Sequence, residues 1–231
     1  MDIDILSLFP EYFETPFACS MIKRAREKGL LNIRCIDIRD FAEDRHQTVD
    51  DRPYGGGPGM VMKPEPTVKA IRSVRRSDSH VIYLSPQGGV FKARLAEEFA
   101  KKHTHIILIC GHYEGIDQRI IDSEVDEEIS IGDYVLTSGA PAAIVFVDAV
   151  SRFIPGVIGH PEGPYKDSFH GSETFEGPQY TRPFEFDGKK VPEVLVNGNH
   201  KEIEKWRSTQ GREKLEALRH RVGENNEKSI S

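Results

Sequence analysis

A chain of 231 residues with 38% hydrophobic and 29% charged side chains can bury a sizeable core, which excludes a disulfide-dependent miniprotein, a disordered chain and a membrane composition. Lys and Arg total 31 against 37 Asp and Glu, a net charge of −6, so a nucleic-acid partner would need a local basic face. Cys19, Cys35 and Cys110 form no C-x-x-C and cannot all pair, no apolar run reaches membrane length, and Asp2 and Asp4 stand where a leader would be basic. The expectation is a cytoplasmic protein, neither exported nor anchored.

Short apolar runs predict strands over 3–9, 31–38, 80–84 and 105–110, and amphipathic stretches predict helices over 18–28, 65–75, 91–102 and 140–154. That alternation predicts an α/β domain with a mostly parallel sheet. The run 105–110 (HIILIC) is apolar at consecutive positions, which places it centrally, covered on both faces. Residues 140–154 are apolar nearly all round, so that helix needs burial on more than one side, a subunit interface being one candidate. The Pro- and Gly-rich composition after Ile154 marks a linker at about 157–171, and 199–222 carries helix signals with Asn199 as N-cap. Charge is segregated: 114–133 holds eight acids and only Arg119, whereas 189–221 holds nine Lys/Arg against five acids, making the tail the candidate for touching a polyanion or, equally, a solvated helix face.

The glycines of YGGGPGM (54–60) follow no strand, which argues against a dinucleotide-binding turn and for a mobile cover or backbone approach to a ligand, and there is no Walker A sequence. Three other loops each follow or end an apolar strand: Tyr83–Gly89, Cys110–Asp117 and Ser130–Gly139. Ligands of open α/β sheets bind beyond the carboxyl ends of strands, where these loops would converge. Their glycines expose backbone groups suited to the edge of an uncharged heterocycle. Glu114, Asp117 and Asp133 would repel a triphosphate and accept an electropositive methyl donor. The histidines are scattered without zinc-ligand spacing, and no dedicated metal cluster is visible.

The ordered motifs PYGGGPGM (53–60), YLSPQG (83–88), CGHYEGID (110–117), EEISIGDYVLT (127–137), DAVSRFIPGV (148–157), KDSF (166–169), QYTRP (179–183) and VPEVLVNGNH (191–200) closely resemble the bacterial tRNA (guanine-N1)-methyltransferase family, over essentially the whole chain to about 213. The resemblance implies an α/β SPOUT fold with a parallel sheet and a carboxyl-terminal trefoil knot over 1–158. A linker over 159–171 and a small, mainly helical tRNA-binding domain over 172–231 would follow. It further implies a homodimer with shared active sites, S-adenosyl-L-methionine as cofactor, magnesium as an aid, and the anticodon stem-loop of tRNA as partner. The expected reaction is methylation at N1 of the guanine just 3′ of the anticodon, position 37, when another guanine precedes it.

Carried over residue by residue, the resemblance places Tyr83, Leu84, Ser85, Pro86, Gln87, Gly88, Gly111, Tyr113, Glu114, Gly115, Ser130, Ile131, Gly132, Tyr134, Leu136 and Gly139 in the cofactor pocket. For Leu84, Ile131 and Leu136, core packing reads equally well. Asp167 matches the family's general base, Arg152 faces guanine O6, and Glu114 completes the catalytic set; Arg152 is also placed to pair with Asp148 on one helix face. Lys189, Lys190, Lys201, Lys205, Arg207 and Arg212 are candidates for phosphate contacts. The chain departs from the family's Gly-Gly-Glu-Leu-Pro-Ala at Ser138–Ala143, beside the cofactor pocket. Two other readings stand beside this one: a non-catalytic cofactor- and RNA-binding relative, and a different SPOUT RNA methyltransferase.

Overall fold

The computed structural model describes residues 1–170 and 175–228, with side chains to residue 221. Gly171 of the expected linker, and 172–174 and 229–231 of the expected tail domain, lie outside the described residues. The chain forms two compact units, Met1–Pro161 and Glu162–Ser231.

The first unit runs β1 (Asp2–Ser7), α1 (Ser20–Glu27), β2 (Asn32–Asp37), α2 (Pro64–Val74), β3 (Ser79–Val90), α3 (Ala93–Lys102), β4 (His105–Cys110), α4 (Gln118–Glu124), β5 (Glu127–Ser130) and α5 (Ala140–Ser151). These five strands form one sheet in the order β2-β1-β4-β3-β5, parallel throughout, and two further two-residue strands, Asp50–Asp51 and Val61–Met62, pair antiparallel outside it on either side of the glycine-rich segment. β4 lies in the middle with all six residues buried, as its unbroken apolar run requires. Its side chains divide between two cores. Ile106 and Leu108 join Ile3, Ile5, Phe99 and Phe146 on one face of the sheet, while Ile107 and Ile109 join Leu6, Ile71, Val81 and Ile120 on the other. Parallel strands covered by helices on both sides are the stable solution for this order of elements.

Two elements escaped periodicity. β5 is only four residues long and half of it is Glu127 and Glu128, and α4 lies in the acidic stretch that precedes it. β3 extends past residue 84 because pairing with β5 resumes at Gly89 after a bulge in which Leu84 and Gly89 both stand opposite Ile129. α5 is buried within its own chain through Ala143, Phe146, Val147 and Val150, with the Phe146 ring 5.2 Å from Phe99 and 5.0 Å from Phe91, and Val145 remains 46% exposed.

At the amino end of the sheet, buried polar groups are paired. Asp4, 1% exposed, accepts from Arg34 Nε and Nη2, each at 2.6 Å, and lies 2.9 Å from His105 Nε2. His105 Nδ1 meets Ser79 Oγ at 2.7 Å, and that oxygen also accepts from Arg76 N–H at 2.7 Å. Nearby, the buried Glu124 carboxylate takes Arg72 Nε at 2.9 Å together with Arg75 Nη1, whose second amino group reaches the Glu124 carbonyl at 2.6 Å.

The second unit holds a short helix α6 (Gly163–Lys166), a hairpin of β6 (Glu185–Phe186) and β7 (Lys189–Lys190), and the long α7 (His200–Lys228). Asn199 begins α7: its Oδ1 accepts from Glu202 N–H at 3.4 Å, and its carbonyl accepts from Ile203 N–H at 3.0 Å.

Candidate functional site at the carboxyl ends of the strands

The loops after β3, β4 and β5 converge on a cleft of about 320 Å³ in the first unit. The first loop is the β3 bulge, Ser85–Gly88, in which Ser85 Oγ accepts from Gln87 N–H at 3.1 Å. Gly88 is required by close approach, since a Cβ there would lie 2.6 Å from the Glu128 carbonyl oxygen. The second loop turns at Tyr113, whose φ of 57° is left-handed, and closes with Gly115 N–H donating to the His112 carbonyl at 3.0 Å. It is stitched to the end of the glycine-rich segment: Glu114 N–H donates to the Met60 carbonyl at 3.0 Å, and Met62 N–H to the Gly115 carbonyl at 2.9 Å. The third loop starts with Ser130 Oγ bonded to the Gly132 backbone and ends with Gly139 N–H donating to the Gly111 carbonyl at 2.8 Å. Gly139 presses on the second loop so closely that a Cβ would meet Cys110 Cα at 2.9 Å. In the segment that departs from the family pattern, Ser138 Oγ accepts from Ala140 N–H at 3.3 Å and tethers the start of α5.

Every residue expected in the cofactor pocket lines this cleft except Gly88, which backs it against β5. The cleft also contains residues that the motif reading passed over, among them His112, Gln118, Ile121, Glu128 and Ser138. His112 sits within CGHYEGID, and Glu128 was legible only as one acid in a run. The sole charged side chains lining the cleft are Glu114 and Glu128, and neither makes an ion pair or side-chain hydrogen bond among the described residues. His112 Nδ1 is buried and has no hydrogen-bond partner among them, its ring lying between Phe9 at 5.3 Å and Tyr113 at 4.6 Å.

Burial pushes the Tyr83 phenol above its ordinary pKa, with Glu128 and Cys110 adding to the rise and a backbone hydrogen bond from Ile116 opposing it. Burial likewise pushes the Cys110 thiol far up, and Cys35 to about 11, so neither supplies a thiolate nucleophile at neutral pH. Asp117 takes both Arg119 Nε and Nη2 at 2.8 Å and is held below the usual carboxylate range by that pairing. Its charge is therefore spent within its own turn, and neither it nor Asp133 lines the cleft.

Arg152 follows the last turn of α5, and Asp167 follows α6 in the second unit, where its carbonyl accepts from His170 N–H at 3.4 Å. Lys189 and Lys190 form the second strand of the hairpin, with Lys190 Nζ 3.7 Å from Glu185. Lys201, Lys205 and Arg212 are exposed along α7, and at about 100° per residue they share one stripe while Arg207 faces away from it. No group of three or more His, Cys, Asp or Glu side chains gathers into a metal-holding cluster among the described residues. No helix among them is long and apolar enough to cross a membrane.

The cleft suits a ligand with a flat, uncharged edge for the exposed backbone and a positive charge for the two carboxylates; a polyphosphate would meet Glu114 and Glu128 with no compensating cation in the lining. Comparison with known proteins points the same way. Residues 1–224 match the family model described as tRNA (Guanine-1)-methyltransferase TrmD. The tRNA (guanine-N(1)-)-methyltransferase of Protochlamydia amoebophila is 59% identical over 219 residues, covering 95% of this chain and 98% of that protein. The protein of the same name from Dictyoglomus turgidum is 55% identical over 205 residues, covering 89% and 82%. That of Chlamydia pneumoniae is 56% identical over 210 residues, covering 91% of this chain and 57% of its own.

Proposed function

The chain belongs to the tRNA (guanine-1)-methyltransferase family, and from that premise we propose that it transfers a methyl group from S-adenosyl-L-methionine to N1 of the guanine at tRNA position 37, in tRNAs whose preceding base is guanine. The observation that carries the proposal is the cleft itself: glycine-built walls that offer main-chain donors and acceptors, with two carboxylates that have no ion pair among the described residues. S-adenosylmethionine supplies an activated methyl group on a sulfonium. Tyr83–Gln87, Gly111–Gly115 and Ser130–Gly139 would hold its adenosine, and Glu114 its cationic end.

Guanine N1 carries a proton at neutral pH, so its lone pair becomes available only when that proton leaves. Asp167 takes the proton on a carboxylate oxygen, and Arg152 stabilises the negative charge that builds on O6. The freed N1 pair then forms the new N–C bond, leaving the former methyl–sulfur pair on sulfur as a neutral thioether. A base stacked in an anticodon loop must first be turned out, at a cost of a few kcal/mol. Phosphate contacts from Lys189, Lys190 and the α7 stripe Lys201, Lys205 and Arg212 would help to offset it. Magnesium carries no step in this scheme.

The same reading includes a trefoil-knotted SPOUT domain, a cytoplasmic location and a homodimer in which each site draws on both subunits. The test is transfer of label from S-adenosylmethionine to unmodified tRNA carrying guanines at positions 36 and 37, followed by nucleoside digestion. The parent chain is expected to form 1-methylguanosine, and Asp167→Ala to lose about 10²–10⁴-fold in rate. Cofactor binding without product from the parent would replace this reading with a non-catalytic relative.

A further inference from the structure

We propose that Glu128 is a charge-selectivity residue of the cleft, favouring a sulfonium-bearing ligand over the neutral thioether left after transfer. The inference rests on the methyl-donor reading above and goes beyond it, because the motifs give Glu128 no task.

Three observations carry it. Glu128 is half-buried in β5, directly opposite Tyr83 in the parallel register, and lines the same cleft as the strand-end loops. Several buried or half-buried acids of this unit have cationic partners, Asp4 with Arg34, Glu124 with Arg72 and Arg75, and Asp117 with Arg119; Asp37 and Asp50 have no ion pair among the described residues either, but they lie away from the cleft, whereas Glu128 lines it. Glu128 has no ion pair and no side-chain hydrogen bond among the described residues. A carboxylate withdrawn from water without compensation is costly, and its position is explained if the ligand brings the countercharge. Among the described residues neither Lys nor Arg lines the cleft, so no cation in that lining competes for the carboxylate.

The adenosine and amino-acid portions of donor and product are the same, and the charge on sulfur is the difference between them. Beyond the methyl group itself, a fixed negative charge in the wall discriminates between the two by charge, and it loosens the product once the methyl group has gone. Isosteric Glu128→Gln removes the charge and keeps the volume; Glu128→Asp keeps the charge on a shorter stem.

The experiment is calorimetric titration of the parent chain and both variants with S-adenosylmethionine and, separately, S-adenosylhomocysteine, with a thermal melt of each. Glu128→Gln is expected to weaken the sulfonium ligand about tenfold, equivalent to ~1.4 kcal/mol, and the thioether by less than about twofold. Glu128→Asp is expected to retain most of the parent's preference. An equal weakening of both ligands would make Glu128 a contact to their shared portion and overturn the proposal, as would no change in either. Failure of the parent to bind either ligand would overturn the methyl-donor reading itself, and this assignment with it.

Discussion

The two ends of one parallel sheet treat their polar groups in opposite ways. At the amino end, Asp4, His105, Ser79 and Glu124 form closed sets in which donor meets acceptor at 2.5–2.9 Å. At the carboxyl end, Glu114, Glu128 and His112 Nδ1 are left without partners among the described residues, and glycine stands at the closest backbone approaches, Gly88 against Glu128 and Gly139 against Cys110. The strands are the same, and so is the covering of helices. What differs is whether polar demand is met from within or reserved for something that arrives. Closed sets serve stability, because a buried polar group without a partner costs free energy; open ones spend some of it on recognition.

The contrast can be broken by substitutions chosen from each end. Asp4→Ala should cost the most, about 3–5 kcal/mol in urea unfolding, because it strands the buried His105 and one face of Arg34. Gly139→Ala probes the fit of the loops at the carboxyl end: its Cβ would lie 2.9 Å from backbone Cys110 Cα, which cannot yield as a side chain would. A loss of about 1–3 kcal/mol together with weaker binding of the methyl donor is expected, and full affinity in that variant would break the argument that the loops are fitted to one another. Glu114→Gln should weaken the donor while shifting unfolding free energy by less than about 0.5 kcal/mol. A stability loss comparable to that of Asp4→Ala would erase the distinction between the ends.

A smaller effect concerns pH. Burial, reinforced by the neighbouring His80 4.2 Å away ring to ring and by Lys102, holds the His103 pKa below its ordinary 6.5, with Asp126 and Glu127 opposing. As pH falls through 6.5 the unfolded chain takes up a proton that the native chain resists, so stability declines until the native ring also protonates. His103→Gln should flatten that slope in chemical unfolding measured between neutral and mildly acid pH. Least of all, Glu98→Gln on α3 removes exposed pairs with Arg94 and Lys102 and should stay within about 0.5 kcal/mol.

Much of this was legible in the amino-acid sequence for a physical reason. HIILIC has no polar face, which demands a central strand, and the three loops announced themselves by glycine immediately after apolar runs. β5 was not legible, because Glu127 and Glu128 give it no apolar alternation and its four residues are held by pairing with β3. The smallness of Gly88 serves the approach of β5 as well, which only the neighbouring strand's position shows. Glu128 was hidden for a related reason. Eight acids between 114 and 133 look alike in a line of letters, and only the fold separates those paired with arginines from those facing the cleft.

The bulge in β3 has a dynamic consequence. Leu84 and Gly89, the two feet of the excursion, both stand opposite the single residue Ile129, so the chain leaves its ladder and returns to it at one rung. Such a segment is an arch with both abutments on the same stone, and it cannot swing open like a flap pivoting on one end. Amide exchange at Leu84 and at Phe91, whose N–H donates to the Ser130 carbonyl at 2.7 Å, should then be slow and governed by opening of the sheet, leaving ligand entry to movements of the other two loops.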